Sequence, residues 1–573
     1  MRNRSFKSLT VIGLGLASMA PAMAAAQQLP YDDVSSADAG DAAEVDSGDG
    51  AGKVSLKGKR AYVKPYIEAL QVVEAELSPG NEVLTWTSLA AGVDAGVNGA
   101  NTQAAVSLRY ERRFGWGNNT TDSDVISGLA RASTAIVPRV LNFEAGAMAA
   151  RMSVENNGST SSGQQFGDSV TQVYSVYAGP TLQTHMGDVG IEGNYRIGYT
   201  RVEAPDAVVQ APGQTAIDVF DESISHSAAI HLGTKPGEPL PVGLGVGAAW
   251  NREDISNLDQ RVDAKQVRGD VTLPIGNDLA LVGGVGYEDV QVSSRDAVID
   301  SVTGLPVVGS DGRYVTDKSQ PRRIAYDSEG LIWDAGVIWK PSRRTALEAH
   351  VGKRYGSTSY FGSFAYAPSR NTSINISAYD SISGFGGMLN KSLAGLPTQF
   401  ETVRNPLTGN LGGCVVPTGS VEAGQGACLG GVLGSVRSAV FRGRGVMGSL
   451  GINAGKLQYG LGAGYDRRQF IAAAGTVLAS ANAVIDENLW VAAYLNGRID
   501  RSSSFSTMAY ANWYQTGDAL AGDVSAVGAT AAYYRSITSK LTATAAVGID
   551  GVNRELLDDI WSARGMVGVR YSF

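Results

Sequence analysis

Residues 559–573, DIWSARGMVGVRYSF, decide the fold. Trp561, Ala563, Gly565, Val567, Val569, Tyr571 and Phe573 alternate with Ser562, Arg564, Met566, Gly568, Arg570 and Ser572. Successive side chains of a strand point to opposite faces, so one face of this segment suits hydrocarbon and the other suits water. Aromatics close both ends of the apolar face, where a membrane-crossing strand meets its two interfaces.

The same period of two recurs beyond Arg60. Ala104, Val106, Leu108 and Tyr110 alternate with Ser107, Arg109 and Glu111; Trp333, Ala335, Val337 and Trp339 alternate with Asp334, Gly336 and Lys340. Leu457, Tyr459, Leu461, Ala463 and Tyr465 do so against Gln458, glycines and Asp466. A soluble sandwich alternates too, but here short turns and long polar connections take turns, as expected when one end faces the periplasm and the other the outside. Short turns fall near Asn98, Pro138, Gly187, Pro236, Pro274, Pro341, Pro368, Ala454, Arg501 and Ser539, and longer outer loops at 156–167, 204–222, 294–328, 384–435 and 472–487. A tight outer turn at Gly356-Ser357 completes the alternation, and Pro341-Ser342-Arg343-Arg344-Thr345 recurs as Pro368-Ser369-Arg370-Asn371-Thr372, marking two equivalent inner turns. The sum predicts one all-β, antiparallel transmembrane barrel of about 22 strands over 59–573, with short periplasmic turns and long extracellular loops.

Composition agrees. The 573 residues include 72 glycines and 23 tyrosines, which suits many short strands joined by turns, and mean hydropathy is −0.05. No apolar stretch outside the extreme N-terminus is long enough for a spanning helix. Arg2, Arg4 and Lys7, the apolar run 9–19 and Ala22-Met23-Ala24 read as a secretory signal over 1–26. No cysteine follows the cleavage site, so no lipoprotein anchor is expected. Residues 27–58 hold seven acids between Asp32 and Asp49 with no Lys or Arg among them, the composition of a disordered acidic periplasmic tail. Formal charge is −8 overall, and signal and tail account for its asymmetry, leaving about −4 on the rest. No basic face for nucleic acid is expected.

Cys414 and Cys428 share one glycine-rich segment, and export to an oxidising compartment favours a disulfide between them. Such a bridge contributes roughly 3 kcal/mol in the chain-entropy model. Two thiols without nearby histidines are half a zinc site, so neither a metal nor another cofactor is expected.

Enzyme chemistry lacks material. There are four histidines, His185, His226, His231 and His350. His350 beside Glu348 and Arg354 has the elements of a proton shuttle, and equally those of a polar residue in a wet interior. Ser225 and His226 lack an acidic partner and a nucleophile elbow. Gly443-Arg444-Gly445-Val446-Met447-Gly448 matches a dinucleotide fingerprint but lies within a strand with no helix after it, and reads as glycine spacing in a barrel wall. The informative polar residues are those expected to line the lumen: Arg109, Glu111, Arg113, Glu192, Arg196, Glu288, Glu348, His350, Arg354, Arg442, Arg444, Asp466, Arg468, Arg564 and Arg570. They can bias what passes a wet pore, or pair across strands and stiffen the wall. Tyr571 and Phe573 supply the terminal aromatic pattern offered to barrel-assembly machinery.

VKPYIEALQVVEAEL (63–77), VLTWTSLAAGVDAG (83–96), VSLRYERRFGW (106–116), PSRRTALEAHVGKRYG (341–356) and SRNTSINISAYDSI (369–382) resemble the outer-membrane barrels associated with PEP-CTERM/exosortase systems. Some relatives carry a preprotein-translocase label, which a single-helix inner-membrane subunit does not match. The resemblance implies an outer-membrane barrel working beside exopolysaccharide secretion, with polysaccharide or secretion components as partners and no catalytic residues to carry over. Three functions stand as expectations: an export conduit, a passive porin for small anionic or sugar solutes, and a structural or receptor barrel. A barrel this wide encloses a lumen that other families plug, and a gate, if there is one, has only the acidic tail or the long loops to form it.

Overall fold

In hydrocarbon each backbone N–H and C=O must find a partner within the protein, and a sheet meets that demand only by closing on itself. The computed structural model describes residues 61–573 apart from 118–119, 121, 155–157, 162–169, 204–221, 238, 370, 418–427 and 519–520. The expected signal (1–26) and acidic tail (27–58) lie outside the described residues.

Twenty-two strands form the ring: β1 (Ala61–Ser78), β2 (Val83–Asn98), β3 (Thr102–Trp116), β4 (Ser123–Val137), β5 (Leu141–Val154), β6 (Val170–Met186), β7 (Val189–Glu203), β8 (Glu222–Thr234), β9 (Gly243–Ile255), β10 (Gln260–Pro274), β11 (Leu279–Ser294), β12 (Arg323–Ser342), β13 (Thr345–Arg354), β14 (Ser357–Ser369), β15 (Thr372–Ser383), β16 (Phe441–Ala454), β17 (Leu457–Phe470), β18 (Ile485–Arg498), β19 (Ser503–Gln515), β20 (Val524–Ser536), β21 (Leu541–Arg554) and β22 (Ile560–Ser572). Each pairs antiparallel with the next, and β22 closes on β1 from Tyr66↔Ser572 to Ser78↔Trp561. A two-residue bridge at Thr160–Ser161 also joins β5.

Parity sets the two faces. On β22, Val567 is 61% exposed toward lipid while Arg564 and Met566 are 4% exposed and turned inward. Tryptophans and tyrosines of the outward face gather near strand ends, Trp116 and Trp513 at one rim, Trp339, Tyr459 and Tyr571 at the other, as interfacial girdles do. No helix among the described residues is long and apolar enough to cross a membrane; strands make the crossing. This is a bacterial outer-membrane β-barrel.

All ten expected inner turns lie between strands at one rim. Two-residue connections at Gly187 (φ 60) and Gly455 (φ 64) use the left-handed backbone that tight hairpins demand. The repeated pentapeptide builds the same turn twice: Ser342 Oγ accepts from Arg344 N–H at 3.2 Å and lies 3.1 Å from Thr345 Oγ1, and Ser369 Oγ accepts from Asn371 N–H at 3.2 Å and donates to Thr372 Oγ1 at 3.2 Å.

The closing seam is reinforced inside the lumen. Arg564 Nη2 donates to Glu74 Oε1 of β1 at 2.9 Å and Nη1 to Asp550 Oδ2 of β21 at 3.1 Å, with all three groups nearly dry. Arg564→Ala would strand two buried carboxylates, a loss of about 3–5 kcal/mol for a broken buried pair. Urea unfolding of the barrel in lipid vesicles should show that loss as a lower midpoint; an unchanged midpoint would mean the seam owes nothing to this triad.

Candidate functional site: a plug folded into the lumen

The connection 384–440 between β15 and β16 starts and ends at the outer rim, and its described residues, 384–417 and 428–440, turn into the lumen instead of extending outward. This corrects the expectation of an extracellular loop at 384–435, and the reason lies in its apolar residues. Helix α1 (Phe385–Ala394) carries Phe385, Met388, Leu389 and Leu393 at helical spacing, followed by Leu396. Leu389 and Leu393 are 0% exposed, packed against inward side chains Leu129, Met148, Met152, Val173 and Val202 of β4–β7. Truncating one such leucine typically costs about 2–5 kcal/mol.

The helix has no side-chain cap of its own. Its unpaired N–H groups are met from the wall: Gly384 N–H and Gly387 N–H donate to the two oxygens of Glu253 on β9 at 2.7 and 2.8 Å. The glycines permit this approach, since a Cβ at Gly386 would sit 1.8 Å from Ser223 Oγ and one at Gly387 would sit 2.3 Å from Glu253 Oε2. Asn390 accepts from Ser175 Oγ at 3.0 Å and donates to Thr200 and Ser225, each at 3.2 Å.

A hairpin follows, Phe400–Arg404 paired with Leu411–Pro417. At its base, Gln399 Nε2 donates to the carbonyl of Val97 at 2.7 Å, one residue before the periplasmic end of β2. At its tip, Asn405 Oδ1 accepts from Leu407 N–H and Thr408 N–H, and Gly409 at φ 68 lies so close to Arg109 that a Cβ would meet Nη1 at 2.0 Å. Arg404 donates to Ser127 Oγ at 2.7 Å and Ser107 O at 3.2 Å, and Leu407 fills a pocket with Val72, Trp86, Ala532, Ala546 and Met566. Cys414 and Cys428 are joined by a disulfide, and a Cβ at Gly462 on β17 would meet Cys428 Sγ at 2.8 Å. The returning chain is held by Arg468 Nη1, which donates to Ser435 O at 2.7 Å. Part of the β5–β6 connection joins it: Thr160 N–H donates to Gly434 O at 3.2 Å and Val436 N–H to Gly158 O at 2.8 Å.

Most of the charges expected in the lumen occur there as networks. Arg109 donates to Glu68 at 3.0 Å and pairs with Glu111, Arg113 reaches Glu111 at 2.8 Å, and Arg570 reaches Asp94 at 3.3 Å. Arg196 approaches Glu144 at 3.5 Å, Arg354 holds Glu288 at 3.0 Å, and Arg468 holds Asp466 at 2.9 Å. Glu192 shares the inward face of β7 with Arg196. His350 lies 2.9 Å from Asp334 and 3.2 Å from Glu348; Arg268 links Asp334 to Asp270, and His231 lies 3.2 Å from Asp270. Sequence reading placed Asp334 on the polar face of its strand without assigning it a partner, and missed Glu253, Glu144 and the inward apolar residues of β4–β7, although the break in alternation at Met148 and Met152 was there to see.

Arg442 and Arg444 correct the lumen assignment. They share the face of Val446, which is 44% exposed, whereas Gly443 and Gly445 pair opposite the inward Arg468 and Asp466. Both arginines bind Asp380, at 2.7 and 3.3 Å, beside the short β13–β14 hairpin. Ser225 and His226 occupy opposite faces; His226 lies 2.9 Å from Tyr195 Oη and stacks on Trp250 among outward aromatics.

Removing the carboxylate with Glu253→Ala should loosen α1. A charged acceptor is worth about 1.5–3 kcal/mol, so hydrogen exchange of the amides of 384–395 should quicken by roughly tenfold or more. Unchanged exchange would show that Glu253 does not hold the helix.

No family model matches the chain, and no curated protein does. Among solved structures, the FrpB iron transporter from Neisseria meningitidis (F5-1 variant) aligns at 10% identity and TM-score 0.42, over 89% of this chain and 82% of that one. The ferric-catecholate import receptor Fiu from E. coli K12, open form, aligns at 9% and 0.42, over 88% and 81%. The copper transporter OprC aligns at 10% and 0.38, over 88% and 81%.

Proposed function

We propose that this barrel is a gated outer-membrane conduit, closed at rest by the 384–440 segment. One observation carries the reading: a single connection leaves the outer rim, packs α1 against β4–β8, and reaches the periplasmic end of β2 through Gln399. Its hairpin tip meets β1–β4 and β20–β22 across the same lumen. A passive porin needs a standing opening, whereas a stopper bound to several walls suits passage on demand.

The family resemblance supports polysaccharide as cargo. So does the inner wall, where tyrosine rings lie flat over cross-strand glycines. A Cβ at Gly96 would meet the Tyr62 ring at 2.6 Å, one at Gly460 the Tyr494 ring at 2.5 Å, and one at Gly528 the Tyr510 ring at 2.4 Å. Flat amphipathic rings offer apolar faces to sugar rings and hydroxyls to their edges. Tyr494 packs against Val403 and Val416 of the plug, so withdrawal of the hairpin would bare it.

Replacing 385–439 with a short glycine–serine linker should turn small or absent currents in planar bilayers into large, steady steps. Equal conductance with and without the segment would overturn the gate. Loss of released polysaccharide in a gene-deletion strain would support export; rapid entry of small sugars into liposomes bearing the intact protein would favour uptake.

A further inference from the structure

A cavity of about 120 Å³ lies between α1 and the wall of β6–β10, β13 and β15, with Tyr177, Arg196, Ser225 and Asn251 on its lining. That is roughly ten times the space one water needs, about 10–15 Å³. Arg131 on β4, 4% exposed, is not on the lining, but its guanidinium lies 5.9 Å from the centre of the ring of Tyr177, which is. Arg131 and Arg196 reach for the same oxygen, Glu144 Oε2, at 3.4 and 3.5 Å. One carboxylate therefore serves two guanidiniums, at long range. Nε and Nη1 of Arg131, Nε of Arg196 and Nδ2 of Asn194 are buried without a hydrogen-bond partner among the described residues.

Other charges near the cavity are already engaged. Glu253 is taken by the α1 N–H groups, and Arg354 by Glu288. Buried donors are seldom left unmet in native proteins, and each one calls for an explanation. Guanidinium forks match planar or tetrahedral oxyanions with paired hydrogen bonds.

We propose that Arg196, on the cavity lining, and Arg131, which shares Glu144 with it, form a binding site for the oxyanion, carboxylate or phosphate, of a small hydroxyl-bearing solute whose body occupies the cavity. This rests on the conduit reading only in placing the site along the passage, and makes acidic sugars the class of solute recognised there. The two sources share one chemistry, and the choice of probe separates them.

The test is titration calorimetry on the intact folded protein in detergent, plug in place, with galacturonate, glucose 1-phosphate and neutral galactose. At least one anion should bind saturably and galactose should not. Arg196→Gln and Arg131→Gln should each weaken binding about tenfold or more, the loss of one charged hydrogen bond, while both variants keep the heat-modifiable gel mobility of a folded barrel. Binding of galacturonate alone identifies a carboxylate site, of glucose 1-phosphate alone a phosphate site, and of both a general oxyanion site. The proposal falls if neither anion binds, if galactose binds as well, or if both folded variants keep wild-type affinity. Because no transport is measured, binding with an unchanged conductance on plug removal would uphold this site and reject the gate.

Discussion

Every feature of this molecule follows from the need to satisfy backbone amides in a medium that offers no hydrogen bonds. The β1–β22 register from Tyr66 to Ser78 meets that need at the last open edge, and closure then imposes strict parity on every strand. One face must be apolar because it touches lipid. The other is free to be anything, provided its own polar and apolar groups find partners inside the ring.

That freedom explains the plug. The inward residues of β4–β7 include Leu129, Met148, Met152, Val173 and Val202, which a water-filled lumen would leave wet. They are dry because Leu389, Leu393 and Leu396 cover them. The acidic residues of the interior obey the same logic through charge: Glu111, Glu348 and Asp466 are engaged by arginine or histidine of their own strand and Glu288 by Arg354 from two strands away, so ion pairing in the wall dominates over a field open to solutes.

The barrel was legible because its signals are local and repeated. Alternation along β3, β12, β17 and β22, and the Pro-Ser-x-x-Thr turn written twice, each fix register over a few residues. Arg442 and Arg444 were misplaced because β16 is so rich in glycine and small side chains that neither face declares itself, and a one-residue slip exchanges the faces. The plug was illegible for a different reason. Its partners are scattered over most of the ring, and a glycine-rich connection between strands reads like any other loop until Glu253, 131 positions before Gly384, is seen capping its helix. Cys414 and Cys428 marked the segment as covalently constrained without saying on which side of the rim it lay.

The distribution of bond types within the lumen also orders what can move. Wall strands are joined to each other by charge pairs such as Arg564–Glu74 and Arg268–Asp334, whose rupture leaves buried charge behind. The hairpin is joined to the wall mainly through neutral acceptors: Thr408 O for Arg113, and Ser127 Oγ and Ser107 O for Arg404. Each of these bonds has a guanidinium donor and contributes about 1.5–3 kcal/mol, but breaking it leaves no buried carboxylate unpaired in the wall, so the hairpin tip leaves its seat at lower cost than any wall strand leaves its neighbour. Helix α1, with its leucines in a dry core, is the costlier element to detach. The disulfide ties Leu411–Pro417 to the chain ahead of Ser435, making the hairpin and its return limb one body. The economical opening motion is therefore withdrawal of the hairpin tip around Asn405–Asn410 from β1–β4 and β20–β22, while α1 and the Phe400, Val415 and Val432 side chains that share its core stay in place, which would widen the lumen on the side of the seam and leave the cavity beside α1 intact.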